Sequence, residues 1–134
     1  MPTRFFLFCA SVSGFTAVAL GAFGAHGLRG RLPSHLMDVF QTAVQYQFYH
    51  TLALLAVVLL ACTGVTYSER ALSLAGWGFL IGILLFSGSL YLLALTGTHW
   101  LGAVTPIGGL AFLTGWAALF YTAFKLTRNQ INAN

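Results

Sequence analysis

Apolar residues fill positions 5–25 almost without a break, and positions 71–124 carry no Asp, Glu, Lys or Arg at all. A membrane-spanning helix needs roughly 20 mostly apolar residues, so the second tract holds two spans and a turn. In hydrocarbon an ionised side chain at the bilayer centre costs about 2.5 kcal/mol or more, which explains such an absence. The pattern predicts an all-α fold: an integral membrane four-helix bundle forming a single domain over 1–134, with spans at about 5–25, 46–62, 72–96 and 106–125. Positions 35–47 read differently. Leu36, Val39, Phe40, Ala43 and Val44 recur at helical spacing, with Asp38, Gln41, Thr42 and Gln45 opposite. This predicts an interfacial amphipathic helix that bends or continues into the second span.

Turn residues punctuate these runs. Ser34 is placed as an N-cap. Gly97 ends the third helix as a C′ residue, and Ser87 and Ser89 are expected to bond to carbonyls one turn back. Thr105 as N-cap with Pro106 at the first helical position starts the last helix, leaving 97–105 as a loop. The run 5–25 exceeds the 7–15 residues of a signal-peptide core and has no small-x-small cleavage site, so it reads as a retained helix.

Small residues line three faces. Ala10, Gly14, Ala17, Gly21 and Ala25 lie three or four apart, Gly78 and Gly82 form a GxxxG pair, and Gly108, Ala111, Gly115 and Ala118 repeat the theme. Such faces let helix backbones approach closely, the main route to association where lipid supplies no hydrophobic drive. The Gly-rich run at 21–27 is no phosphate loop, since no strand precedes it and no Lys follows.

Composition sharpens the class. Of 134 residues 58% are hydrophobic and 6% charged, against about a quarter charged in soluble domains. The net charge of +4 is not gathered into a patch, so no nucleic-acid partner is implied; the expected partner is the lipid bilayer. Cys9 and Cys62 are isolated, which argues against a disulfide or zinc framework. Four spans place both termini on one side with Arg4, Arg70, Lys125 and Arg128, against Arg29 and Arg31 on the other. Positive residues stay inside, so both termini are expected in the cytoplasm of an inner-membrane protein.

The motifs Leu20-Gly21-Ala22-Phe23-Gly24-Ala25-His26, Gln45-Tyr46-Gln47 with His50-Thr51-Leu52-Ala53, Leu85-Phe86-Ser87-Gly88-Ser89-Leu90-Tyr91 and Pro106-Ile107-Gly108-Gly109 resemble the YgdD-like family of small inner-membrane proteins over nearly the whole chain. The resemblance implies a four-helix inner-membrane protein. It implies no activity, because the family is one of unknown function, and it transfers no site residue.

Candidate chemistry is sparse. The four-span plan puts His26, His35, His50 and His99 on one outer side, so His26, His50 and His99 are a candidate metal or haem cluster. The plainer reading, preferred here, is interfacial histidines bonded to backbone and headgroups. Gln41, Gln45, Gln47 and His50 form a polar patch that is either a pore mouth or the wet face of the interfacial helix, the latter preferred. Asp38 and Glu69 both lie outside the spans, which disfavours proton-coupled transport. No catalytic residue and no cofactor is expected. The leading expectation is a non-enzymatic membrane protein acting by helix–helix contact with itself or another membrane protein. An oligomeric channel for a small solute is the alternative, and a haem- or metal-binding accessory protein a weaker one.

Overall fold

The computed structural model describes residues 1–63 and 68–131, with side chains as far as Lys125. The expected loop at 64–67, the Arg128 side chain and the polar tail at 132–134 lie outside the described residues. The chain forms α1 (Thr3–Phe23), which widens into a π turn over Gly24–Leu28, then α2 (Ser34–Ala61). A third rod joins α3 (Glu69–Gly82), a π turn (Ile83–Ser87) and α4 (Gly88–Thr96). A 3-10 turn (His99–Ala103) leads into α5 (Thr105–Ile131). Strands are absent among the described residues. Among the described residues four rods are long and apolar enough to cross a membrane: Thr3–Leu28, Ser34–Ala61, Glu69–Thr96 and His99–Lys125.

The segment expected to bend or continue into the second span continues. At 1.5 Å per residue α2 is about 42 Å long, against about 30 Å of hydrocarbon, so its first turns reach the headgroups and carry Asp38 there. Ser34 is the first helical residue rather than the cap: Pro33 holds the cap position, and its carbonyl accepts from the amides of Leu36 and Met37. Ser68 does cap α3, accepting from the Ala71 amide, with Glu69 in the first turn where the helix dipole favours an anion. Gly97 stands at φ 68°, its amide closing onto the Leu93 carbonyl as expected of a C′ glycine. Pro106 lies in the first turn of α5, where its missing amide costs nothing.

Helix α1 lies along α2 and α5 along α3, while α2 meets α3 and α4 in the middle. The larger core joins Phe6, Leu54, Val57, Leu72, Ala75, Phe79 and Phe112; a smaller one near the other end joins Leu28, Phe40 and Ala94. All three small-residue faces are used inside this one chain. A methyl on Gly78 would sit 2.8 Å from the Gly115 nitrogen, and one on Gly108 would collide with the Phe86 backbone. Gly82 and Gly115 receive the rings of Phe112 and Phe79. Gly14 and Gly21 sit more loosely against Thr51 and Val44, at 3.6 and 3.4 Å. The α3–α5 seam is therefore backbone against backbone, and the α1–α2 seam has slack.

Candidate functional site

Gln47 occupies the buried face of α2, 5% exposed. Residues Phe40, Ala43, Gln47, His50, Leu54 and Val57 follow one another at three- and four-residue steps, so a single face of α2 carries all of them inward. The Gln47 Nε2 donates to Thr16 Oγ1 at 2.8 Å and to the Ser13 carbonyl at 3.0 Å. Its Oε1 accepts from the Tyr91 hydroxyl at 2.7 Å. Thr51 Oγ1 donates to the Gln47 carbonyl at 2.7 Å, so the proton in the 2.6 Å contact between Ser13 and Thr51 comes from Ser13. Each hydroxyl has one hydrogen, which fixes the direction of every bond. Three rods are joined by a network with no group left over.

One turn further on, His50 is held from both ring nitrogens. Nδ1 lies 2.8 Å from the Tyr46 carbonyl, and Nε2 lies 3.3 Å from the Trp116 indole nitrogen. A carbonyl only accepts and an indole N–H only donates, so the ring is the neutral Nδ1–H tautomer. Its face stacks on Phe112, centroids 3.4 Å apart. Helical rise places His50 about 24 Å along α2 from Ser34, and Trp116 about 16 Å into α5, both deep in the bundle. The sequence places His50 near the outer end of its span. It lies deeper because α2 starts a dozen residues before the expected span.

The structure does not bring the three candidate histidines together. The Nδ1 of His26 contacts the Ala22 carbonyl at 3.0 Å beside the first π turn, and His99 is exposed in the 3-10 turn. Among the described residues no group of three His, Cys, Asp or Glu side chains could hold a metal ion. The polar patch splits as well. Gln41 and Gln45 stay exposed beside a crevice of about 210 Å³ shared with Gly21 and Gly24, while Gln47 and His50 turn inward. Ser89 bonds back to the Phe86 carbonyl as expected and also meets Thr105 Oγ1 at 2.8 Å. Ser87, in the π turn, was expected to do likewise and does not: its hydroxyl is buried with no partner among the described residues. Sequence reasoning missed Ser13, Thr16, Thr51, Tyr91 and Trp116 as network members.

Comparison with known proteins gives consistent results. A family model described as "Protein of unknown function (DUF423)" matches residues 20–109. The chain is 43% identical over 124 residues to the UPF0382 membrane protein YwdK of Bacillus subtilis, covering 91% of this chain and 98% of that one. It is 47% identical over 120 residues to a UPF0382 membrane protein of Haemophilus influenzae, covering 90% and 94%. It is 42% identical over 134 residues to the UPF0382 inner membrane protein YgdD of Escherichia coli, covering 98% of each. No solved structure matches the chain.

Proposed function

The chain belongs to this family of membrane proteins, and on that premise we propose that it acts without catalysis, through contact with another membrane protein or a second copy of itself, in the inner membrane with both termini in the cytoplasm. What carries the reading is how fully the interior is used. Glycine faces close the helix seams, Gln47 and its neighbours satisfy one another, and Phe6, Leu54, Val57, Leu72 and Phe79 fill the centre at 0% exposure. The groups left for a partner are on the outer surface, where Phe8, Phe15, Phe120 and Trp100 stand more than half exposed. Inner-membrane placement is supported by the name of the Escherichia coli relative. The orientation rests on the excess of cations beside the termini.

A path through one bundle would have to displace its core, so the oligomeric-channel reading requires a pore between copies of the chain. Purification in a gentle detergent with identification of co-purifying subunits tests the proposal. A partner of fixed stoichiometry, or a self-assembled species of fixed size, is expected. A partnerless monomer would overturn it, as would a pure homo-oligomer that passes small solutes across liposomes.

A further inference from the structure

Helix α2 turns a second face away from the bundle. Gln41, Gln45, Phe48, Leu52, Ala56 and Leu59 recur at three- and four-residue steps opposite Phe40, Ala43, Gln47 and Leu54, and all six are exposed. The apolar members suit lipid and the two glutamines do not. Among the described residues their side chains bond to no other group, and the crevice beside them offers no polar side chain but their own.

Depth decides what this exposure costs. Arg4 and Arg29 flank the first rod about 37 Å apart along its axis, and Thr16 stands near the midpoint between them. Gln47 reaches Thr16 Oγ1 at 2.8 Å, so it too lies near the middle of the membrane. Gln45 is two residues from it, about 3 Å toward the Gly24–Leu28 end, which leaves it about 10 Å inside a hydrocarbon layer about 30 Å thick. Its carboxamide has two donor hydrogens and an acceptor oxygen, and acyl chains answer neither. A second carboxamide at the same height answers both. Another copy of this chain, inserted the same way, supplies it by symmetry. A two-fold axis along the membrane normal sets Gln45 against Gln45 at one depth, each Nε2 donating to the other's Oε1.

We propose that the outward face of α2 is a parallel dimer interface, in which Gln45 pairs with its counterpart on a second copy of this chain and Gln41 flanks it nearer the headgroups. The proposal rests on the contact reading above and narrows it to one face and one partner. Two measurements on the whole chain test it, both with Cys9→Ala and Cys62→Ala. In native membranes treated with copper phenanthroline, Leu52→Cys, two turns along the stripe from Gln45, should give a disulfide-linked dimer. Leu113→Cys, outward on α5, should not. In phosphatidylcholine vesicles, energy transfer between chains carrying donor or acceptor dyes, followed as lipid is added, gives the dimer affinity. Gln45→Leu should weaken it about tenfold, the worth of two interhelical hydrogen bonds. Gln45→Asn keeps the carboxamide and should lose less, and Phe120→Leu on the outer face of α5 should change nothing. Undiminished affinity in Gln45→Leu would overturn this face while leaving self-contact standing, as would linkage through Leu113→Cys in place of Leu52→Cys. Chains that stay monomeric at every lipid ratio would overturn the dimer, and the contact reading with it if no partner co-purifies.

Discussion

The Tyr91 hydroxyl reaches Gln47 Oε1 across 2.7 Å. It ties the third rod to the α1–α2 pair at a depth where neither group has water to fall back on. Tyr91→Phe leaves the Gln47 oxygen bare and should cost about 1 to 1.5 kcal/mol, within the range of interhelical hydrogen bonds in membranes. Gln47→Leu strips partners from Tyr91, Thr16 and Ser13 together and should cost more. Reversible unfolding in mixed micelles measures both, and the double variant should fall well short of the sum of the singles. Strict additivity would mean that the bond contributes nothing to folding.

The glycine contacts rank the two seams. Gly108→Ala pushes a methyl into backbone, which has no rotamer to yield, and should lose at least about 2 kcal/mol. Gly14→Ala meets only the Thr51 methyl at 3.6 Å and should be neutral or gain up to about 1 kcal/mol by stiffening the unfolded chain. The same unfolding assay reads both, and equal effects at the two positions would contradict the seam assignment.

Ser87 offers the opposite sign. The residue is 1% exposed and its hydroxyl has no partner among the described residues, so Ser87→Ala removes a buried polar group that no bond repays. Stability should hold or rise by up to about 1 kcal/mol. A loss of similar size would place a hidden partner at that hydroxyl.

For His50 the expectation is spectroscopic. Nitrogen-15 spectra at neutral pH should show a protonated Nδ1 and a bare Nε2, because the Tyr46 carbonyl and the Trp116 N–H admit only that tautomer. Zinc or a chelator should leave the melting temperature where it was. A purified sample holding metal that is lost when His26, His50 and His99 become alanine would contradict this.

The span count, the all-helical class and the Gly97 stop were legible in the chain, because lipid permits so few alternatives at 71–124. The fate of Gln47 and His50 was also within reach. Extending the face of Phe40 and Ala43 by further three- and four-residue steps lands on both of them and then on Leu54. Ending the amphipathic segment at position 47 broke that count and made inward residues look like a wet face. Other features had no local signal. For Ser13, Thr16 and Thr51 only packing shows which of them Gln47 meets. Likewise the π turn at Ile83–Ser87 and the pairing of Trp116 with His50 follow from how α5 seats against its neighbours. The glycine faces were visible, but whether they would join helices of one chain or of two was not.

The most direct test concerns the order of crossings. The Met1 amine lies 3.7 Å from Glu69 Oε2, so the start of α1 and the start of α3 share one end of the bundle, with the Gly24–Leu28 and His99–Ala103 turns at the other. In a Cys9→Ala, Cys62→Ala background, single cysteines at Arg31, Glu69 and Trp100 can be labelled with a membrane-impermeant thiol reagent in intact cells. Arg31→Cys and Trp100→Cys should label from outside, and Glu69→Cys only after lysis. Labelling of Arg31→Cys and Trp100→Cys from opposite faces would contradict the four-crossing bundle.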